Sequence, residues 1–458
     1  DQDIAETRLK TGDNAVLMKI VNGGGESGFY FEPEVPNAMI AALKVPAVKR
    51  TMEQEAAVRT NYQSFAPWLA KAREEMAIAR QEKADYVKTV PTSLVTVAEA
   101  PRMTRVLPRG NWMSEAGEVV APAEPAFLVG STSKGKGKGT NEVRQTRLDL
   151  ANWIASRQNP LTARVFVNRL WKMYFGIGIS KTLDDFGSRG EWPTNPELLD
   201  WLATEFMDSG WNVKHMVKLM VMSHAYRQTT VASDELRERD PDNRLVARQS
   251  AFRLNAEMVH DNALAVSGLL VEKIGGPSVK PYQPEGYWDQ LNFPKRKYMA
   301  DHGEALYRRG LYTFWCRTFL QPSLEAFDAP GREECTIDRP RSNTPLQALA
   351  LLNDPTYVEA ARALAEGIVR RGGTGVDDRI DWTFMQAVDR PPTAAETSLV
   401  AKLYGEELAH YAKDETDAKE LVSVGEHPVA KDLDAGQLAA WTEVARTVLN
   451  LHETITRY

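Results

Sequence analysis

The sequence predicts a mainly α-helical protein, a multi-helix domain with a smaller irregular α+β N-terminal portion. Three observations carry this expectation. Downstream of residue 143, amphipathic segments with apolar residues at helical spacing follow one another. Most of them open on Asn, Thr or Asp with Pro in the first turn, a pairing that satisfies one free amide and removes another. Short β-branched runs are concentrated between residues 92 and 128, where Pro, Gly and Asn keep interrupting them.

Size and charge narrow the classes. The chain has 458 residues, too many for one ordinary core. It is 43% hydrophobic and 26% charged, the composition of a folded protein. A formal net charge of −6 gives no reason to expect nucleic acid, whose binders carry a strong basic face. Eleven tryptophans suggest large apolar interfaces or aromatic-lined clefts. No apolar run approaches the length of a membrane-crossing helix, so no transmembrane segment is expected. Asp1 opens a polar stretch without a signal peptide, which reads as a mature or trimmed product.

Three parts are expected: residues 1–130 as an N-terminal helix plus short-strand region, 131–143 as a flexible linker, and 144–458 as the helical domain. In the first, "SFAPWLAKAREEMAIARQEKADYV" combines helical spacing with charge pairs four apart and predicts a long exposed helix. The irregular stretch that follows alternates Arg102, Arg105 and Arg109 with apolar residues, which on a strand would set Arg105 and Arg109 on one side. The Gly-, Ser- and Lys-rich "GSTSKGKGKGTNEV" then reads as the linker. Gly130, Gly135 and Lys136 fit a phosphate loop, but Gly137 stands where Ser or Thr must hold magnesium, so nucleotide binding is not expected.

The helices follow. Asn159-Pro160 opens "LTARVFVNRLWKMYF", and Thr194 with Glu197 forms a capping box around Pro196 for the next. Gly210 stops that helix and Asn212 caps "VKHMVKLMVMSHAYRQ". Thr344, Pro345 and Gln347 repeat the box before "LQALALLN". Asp354-Pro355 starts a helix that stops at Gly372-Gly373, and Asp434 with Gln437 opens the last one. Between about 275 and 312, Pro, Gly and aromatic residues predict a long ordered loop packed on the helices.

Three constellations are candidates for chemistry. In "FDAPGREECTIDRPRSNTPLQALALLND", Arg332, Arg339 and Arg341 precede the helix start marked by Asn343 and Thr344. Guanidinium groups beside free helix amides would cradle a carboxylate, sulfate or phosphate. Asp328, Glu333, Glu334 and Asp338 offer the opposite reading, a turn laced internally by Arg–carboxylate pairs. Around "NPLTARVFVNRLWKMYFGIGISKTLDDFGSRGEW", Arg164 and Asn168 share a helix face with Trp171 following, Val165, Arg169 and Lys172 lie on an adjacent stripe, and the Gly-rich turn brings Asp184, Asp185 and Arg189 near the next helix. These could line a cleft or form a packing network of ion pairs. In "RLNAEMVHDNALAVSG", Arg253, Glu257 and Asp261 recur every four residues. Glu257 and Asp261 are weak candidates for acid–base work, with a salt-bridge ladder as the alternative.

Stand-alone catalytic signatures are absent. The seven histidines form no zinc motif, so no metal site is expected, and no Gly-x-Ser-x-Gly elbow appears. Cys316 and Cys335 are the only cysteines. They read as two separate buried thiols, with one disulfide as the alternative. No Cys-x-x-Cys-His haem attachment is present, so no cofactor is expected in this chain itself.

The stretches "PRMTRVLPRGNWMSEAGEVVAPAEPAFL", "NPLTARVFVNRLWKMYFGIGI", "DDFGSRGEWPTNPELLDWLA", "SGWNVKHMVKLMVMSHAYRQ", "DPDNRL" and "RLNAEMVHDNALAVSGLL" occur in order. They are followed by "FDAPGREECTIDRPRSNTPLQALALLNDPTYVEAARALA" and "WTEVARTVLNLHETITR". Together they resemble the planctomycete-specific domain (PSD) family of unknown function, the C-terminal domain of planctomycete cytochrome-containing exported proteins. The resemblance spans about Thr92 to Arg457, and the first ninety residues match more loosely. It implies a bacterial protein of the periplasm or cell surface, often built behind a c-type cytochrome module and a second domain. Neither is visible here, so a fragment, or a member without the haem, is expected. Cys335 holds the family's usual cysteine position, whereas Cys316 replaces an expected basic residue. The family carries no established reaction to transfer.

Function is therefore expected to be that of an interaction or scaffold component of an envelope complex with cytochrome-type partners, where Trp and Arg would serve as interface anchors. The alternatives are an enzyme or binding protein for an acidic or sulfated glycan, and a redox subunit using a haem on a partner chain.

Overall fold

Several of the helix starts read from the sequence recur in a computed structural model, which describes residues 37–125, 127–128, 144–290 and 295–458. The chain divides into two units, 1–103 and 104–458. The expected linker at 131–143 and the phosphate-loop near miss at Gly130, Gly135, Lys136 and Gly137 lie outside the described residues.

The first unit contributes α1 (Asn37–Leu43), α2 (Met52–Phe65) and α3 (Ala70–Thr89). Thr51 and Gln54 close a reciprocal capping box at the start of α2. Pro67 separates α2 from α3, so the helix expected from residue 64 onward begins only at Ala70. None of the residues of α3 is buried, as its charged sequence anticipates.

The second unit opens with β1 (Thr104–Arg105), paired antiparallel to β2 (Val119–Val120). Arg109 lies beyond the strand, in a turn opened by Pro108, with a left-handed φ of 53°. It therefore does not share a strand face with Arg105. α4 (Arg147–Ile154) follows, and then α5 (Thr162–Phe175), α6 (Pro196–Asp208) and α7 (Val213–Val221) pack together. Their apolar faces meet at Val167, Leu202, Phe206 and Met216, all buried, with the Phe166 and Phe206 rings stacked at 4.7 Å. Each such side chain removed from water contributes about 1.5–3 kcal/mol. Asn159 accepts the amides of Leu161 and Thr162, and Asn212 accepts that of His215. At α6 the expected box is not formed. Asn195 is the N-cap residue, and the Thr194 hydroxyl instead accepts the Arg244 guanidinium at 2.6 Å, a charge-assisted bond.

After α8 (Asp234–Arg239) and β3 (Phe252–Arg253) comes α9 (Ala256–Ser267), followed by the largely irregular stretch to residue 312. Arg308 fastens this stretch by donating to the carbonyls of Lys273, Gly275 and Pro277. α10 (Pro322–Ala326), α11 (Pro345–Asn353) and α12 (Pro355–Arg371) lead into α13 (Val376–Val388), α14 (Ala394–Tyr411), α15 (Glu415–Val422) and α16 (Ala435–Leu449). Twelve of the 17 residues of α12 are buried, which makes it the wall shared by two cores. Ala360, Ala361 and Ala365 let neighbouring helices approach closely. On one side α12 meets α9, and on the other α16, where Trp441 stacks on Tyr404 at 4.3 Å. β4 (Thr456–Arg457) returns to pair with β3 and so ties the end of the described chain beside α9. Among the described residues there are sixteen α-helices and two two-stranded sheets, a mainly helical fold. No helix among them is long and apolar enough to cross a membrane.

Candidate functional site

The end of α5 builds an open concave site. α5 stops at Gly176, whose φ of 85° suits glycine, and the chain turns sharply through Gly178. The Asn168 amide, fully buried, clamps that turn from both sides: it donates to the Ser180 carbonyl at 2.9 Å and accepts the Ser180 amide at 3.0 Å. A Cβ on Gly178 would lie 2.5 Å from the Ser180 carbonyl oxygen, so the turn requires glycine there. The clamp sets Lys181 on one side of a cleft and leaves Lys172, in the last turn of α5, on another. The segment Asp338–Arg341 supplies the facing wall, and the enclosed volume is about 220 Å³.

Four cations and one carboxylate line this cleft. Lys172 is paired with Asp338, Lys181 with Asp242 at 3.2 Å, and Arg339 with Glu257 at 2.7 Å. Arg341 differs. Its guanidinium lies 4.4 Å above the Phe252 ring, and among the described residues it makes no hydrogen bond or ion pair. Burial, the largest influence, together with the nearby Arg253 charge lowers its pKa, and Asp338 opposes the shift. Its pKa still leaves the guanidinium charged at any ordinary pH, so a half-buried cation without a bonded counter-charge faces the cleft.

The other members of the predicted cradle are distributed differently. Arg332 lies flat on Trp315 at 3.8 Å and reaches the second Glu257 oxygen at 3.8 Å. Glu257 thus serves Arg332 and Arg339 together, a carboxylate of α9 outside the four that the internal-pair reading named. Asp328 pairs with Arg253 and accepts the Ser342 amide and hydroxyl, locking the turn before α11. Gln347 accepts the Thr344 amide at a long 3.5 Å and donates to Ser342. Asn343 and Thr344 are exposed, and neither lines the cleft. The cations therefore gather at the end of α5 and not at the start of α11.

The cleft candidates around α5 also separate. Arg164 is bonded to Asp200 at 2.6 Å, which raises its pKa and lowers that of Asp200. Asn168 is an internal clamp, too deeply buried to line a cleft. Asp185 caps its own turn through the Gly187 amide and lies 3.8 Å from Arg189. The sequence spacing brought these residues to one region, but each acts locally.

The ladder Arg253–Glu257–Asp261 is not formed. α9 begins at Ala256, so Arg253 belongs to β3 and points its charge at Asp328. Glu257 faces the arginines, whereas Asp261 accepts the Gly310 amide at 2.6 Å and lies 3.1 Å from His260. The two carboxylates have different partners and make no acid–base pair. Cys316 and Cys335 are both free, the first half-buried and the second exposed, so the alternative disulfide is not formed and Cys335 is not a buried thiol. Among the described residues no group of three His, Cys, Asp or Glu side chains is placed to hold a metal ion.

Lys181 and Phe252 were not singled out from the sequence. A lysine just past a glycine turn carries a faint signal. The place of Phe252 under Arg341 carries none, because it depends on the pairing of β3 with β4.

No curated protein and no solved structure matches the chain. The family model PSD1, described as a protein of unknown function (DUF1553), matches residues 146–404. That span covers the cleft and both of its walls. With more than half of its length matched, this chain belongs to the PSD1 family of proteins of unknown function.

Proposed function

We propose that this chain is a binding component of an exported cell-envelope assembly, and that it engages an acidic group of its partner in the cleft between α5 and Asp338–Arg341. One observation supports the reading: Arg341 sits half-buried on Phe252, unbonded, at the wall of a cleft of about 220 Å³ in which four of the eight lining residues are cations. A desolvated guanidinium gains most from an incoming oxyanion, since the cost of removing it from water is already met by the fold. The envelope setting and a cytochrome-type partner, with any haem held on that partner, rest on the family resemblance. An acidic or sulfated glycan would use the same contacts.

The test is thermal unfolding of the full chain at low ionic strength with acetate, methyl sulfate and phosphate. A ligand at a hundred times its Kd adds about 2.7 kcal/mol and raises Tm accordingly. The expected result is a rise for wild type that is lost in Arg341→Ala and kept in Arg332→Ala. No rise with any of these anions would remove the proposal.

A further inference from the structure

The cations around the cleft outnumber their partners. Lys172, Lys181, Arg339 and Arg341 line it, and Asp338 is its acidic lining residue. Two further carboxylates reach these cations from outside the lining, Asp242 at Lys181 and Glu257 at Arg339. Glu257 is shared with Arg332, which brings one more cation into the group. Five cations thus stand against three carboxylates. Arg253, whose charge is felt at Arg341, is paired with Asp328 and leaves that balance unchanged.

Arg457 adds to the same side. It stands opposite Phe252 in the β3–β4 pair and lies 5.2 Å from the ring on which Arg341 is stacked. Among the described residues it has no ion pair, and it donates instead to the Tyr174 carbonyl in the last turn of α5. The free carbonyls of a helix end carry about half a negative charge, so this bond answers the one local feature that would repel an anion.

We infer that the cleft selects a tetrahedral oxyanion with two negative charges, the terminal group of a phosphate monoester, over singly charged sulfate esters, phosphodiesters and carboxylates; this rests on the anion-binding reading above. Attraction grows with the product of ligand charge and excess charge, whereas the cost of stripping water from the ligand grows with the square of its own charge. An excess of two gives the second ligand charge its own counter-charge. The desolvation cost stays partial, because the Lys181 and Asp338 side chains keep 52% and 58% of their surface in water. Shape points the same way. The edge of the Arg341 guanidinium offers two parallel donors, which use both oxygens of a carboxylate. A tetrahedral group keeps a further oxygen for the lysines at the end of α5.

Sulfate and methyl sulfate make the central comparison, since they share a tetrahedral group and differ by one charge. Affinities of the full chain for both, and for methyl phosphate and dimethyl phosphate, are measured by calorimetry at pH 5 and pH 8 and at constant ionic strength. Sulfate is expected to bind about fivefold tighter than methyl sulfate at both pH values, the effect of one further unit charge about 4 Å from a single cation in water. Methyl phosphate loses its second proton near pH 6 and is expected to tighten by a similar factor between pH 5 and pH 8. Dimethyl phosphate, the diester chemistry of lipid headgroups, is expected to stay weak at both. Lys181→Met should shrink the sulfate-to-methyl sulfate ratio, and Asp338→Asn should enlarge it. A wild-type ratio of one or less, a ratio unmoved in both variants, or dimethyl phosphate matching methyl phosphate at pH 8 would overturn the inference while leaving the anion site in place. Failure of every anion at both pH values would instead remove the anion site itself.

Discussion

The Tyr307 hydroxyl donates to the buried Glu359 carboxylate at 2.8 Å and so fastens the irregular stretch before α10 to the central helix. Tyr282 donates to the same carboxylate at 3.2 Å, and the His427 amide at 2.5 Å. Arg362, fully buried one turn on, lies 3.8 Å away and also donates to the His427 carbonyl. Burial and the carboxylate push both tyrosine pKa values well up, so the phenols stay donors. Replacing Glu359 with Ala leaves Arg362 with Glu366, at 2.9 Å, and deprives the two tyrosine hydroxyls and the His427 amide of their shared acceptor. The expected loss is about 3–5 kcal/mol, read from denaturant unfolding, and Tyr307→Phe should cost roughly 1 kcal/mol. A loss below that for Glu359→Ala would show that the network is not a structural centre.

Gly425 gives a sharper steric check. Its φ is 87°, and a Cβ there would lie 2.1 Å from the Glu359 carboxyl carbon. Gly425→Ala is expected to destabilise by more than about 1 kcal/mol, because the backbone conformation and the Glu359 network are both disturbed. A variant with wild-type Tm would contradict the placement of the loop before α16.

Arg390 joins Glu396, in the capping box of α14, to Glu453 near the C-terminal strand, at 2.7 and 2.6 Å. Hydrogen bonding from Arg390, and then from the Thr393 amide, lowers the Glu396 pKa to about 2. A depressed carboxylate contributes stability that is fully present above its unfolded pKa and is lost as pH falls through the folded one. Stability should therefore decline between about pH 4.5 and pH 2 from this group. The contribution is on the order of 1 kcal/mol, given how exposed the pair is. Arg390→Met should flatten that part of the stability-versus-pH curve, and an unchanged slope would refute the assignment.

Asn168 links the fold to the cleft. Asn168→Ala leaves the buried Ser180 amide and carbonyl unpaired, at an expected cost of about 1–3 kcal/mol. It should also loosen the turn that carries Lys181. Anion-induced stabilisation is expected to fall in this variant even when it is compared at equal distance below its own Tm. Full retention of the anion response would separate the clamp from the site.

Asp328 offers a contrast with the cleft. Its partner Arg253 is buried, and burial lowers the Arg253 pKa more than Asp328 restores it. Asp328→Ala should cost about 3–5 kcal/mol, because the guanidinium is left unpaired. Arg341→Ala should cost far less, since Arg341 has no such bond to lose. Chemical denaturation of both variants tests whether one arginine is structural and the other available.

The sequence by itself determined where several of the helices begin. Asn159, Asn212, Asp354 and Asp434 cap as their spacing predicts, since a side-chain oxygen two or three residues ahead of a free amide acts locally. It also determined the family and marked the arginine-rich turn as a place of stored charge. The partner of each charge was decided only by tertiary structure. Glu257 could be read as a base or a ladder rung until α9 met the turn before α11 and placed it against Arg332 and Arg339. Thr194 was diverted from its capping box by Arg244, fifty residues away. Arg341 was left unmatched because β3 brought a phenyl ring, and no carboxylate, beneath it. Capping depends on a few neighbouring backbone angles, whereas charge pairing depends on distances between distant segments, and those are fixed only once the helices have packed.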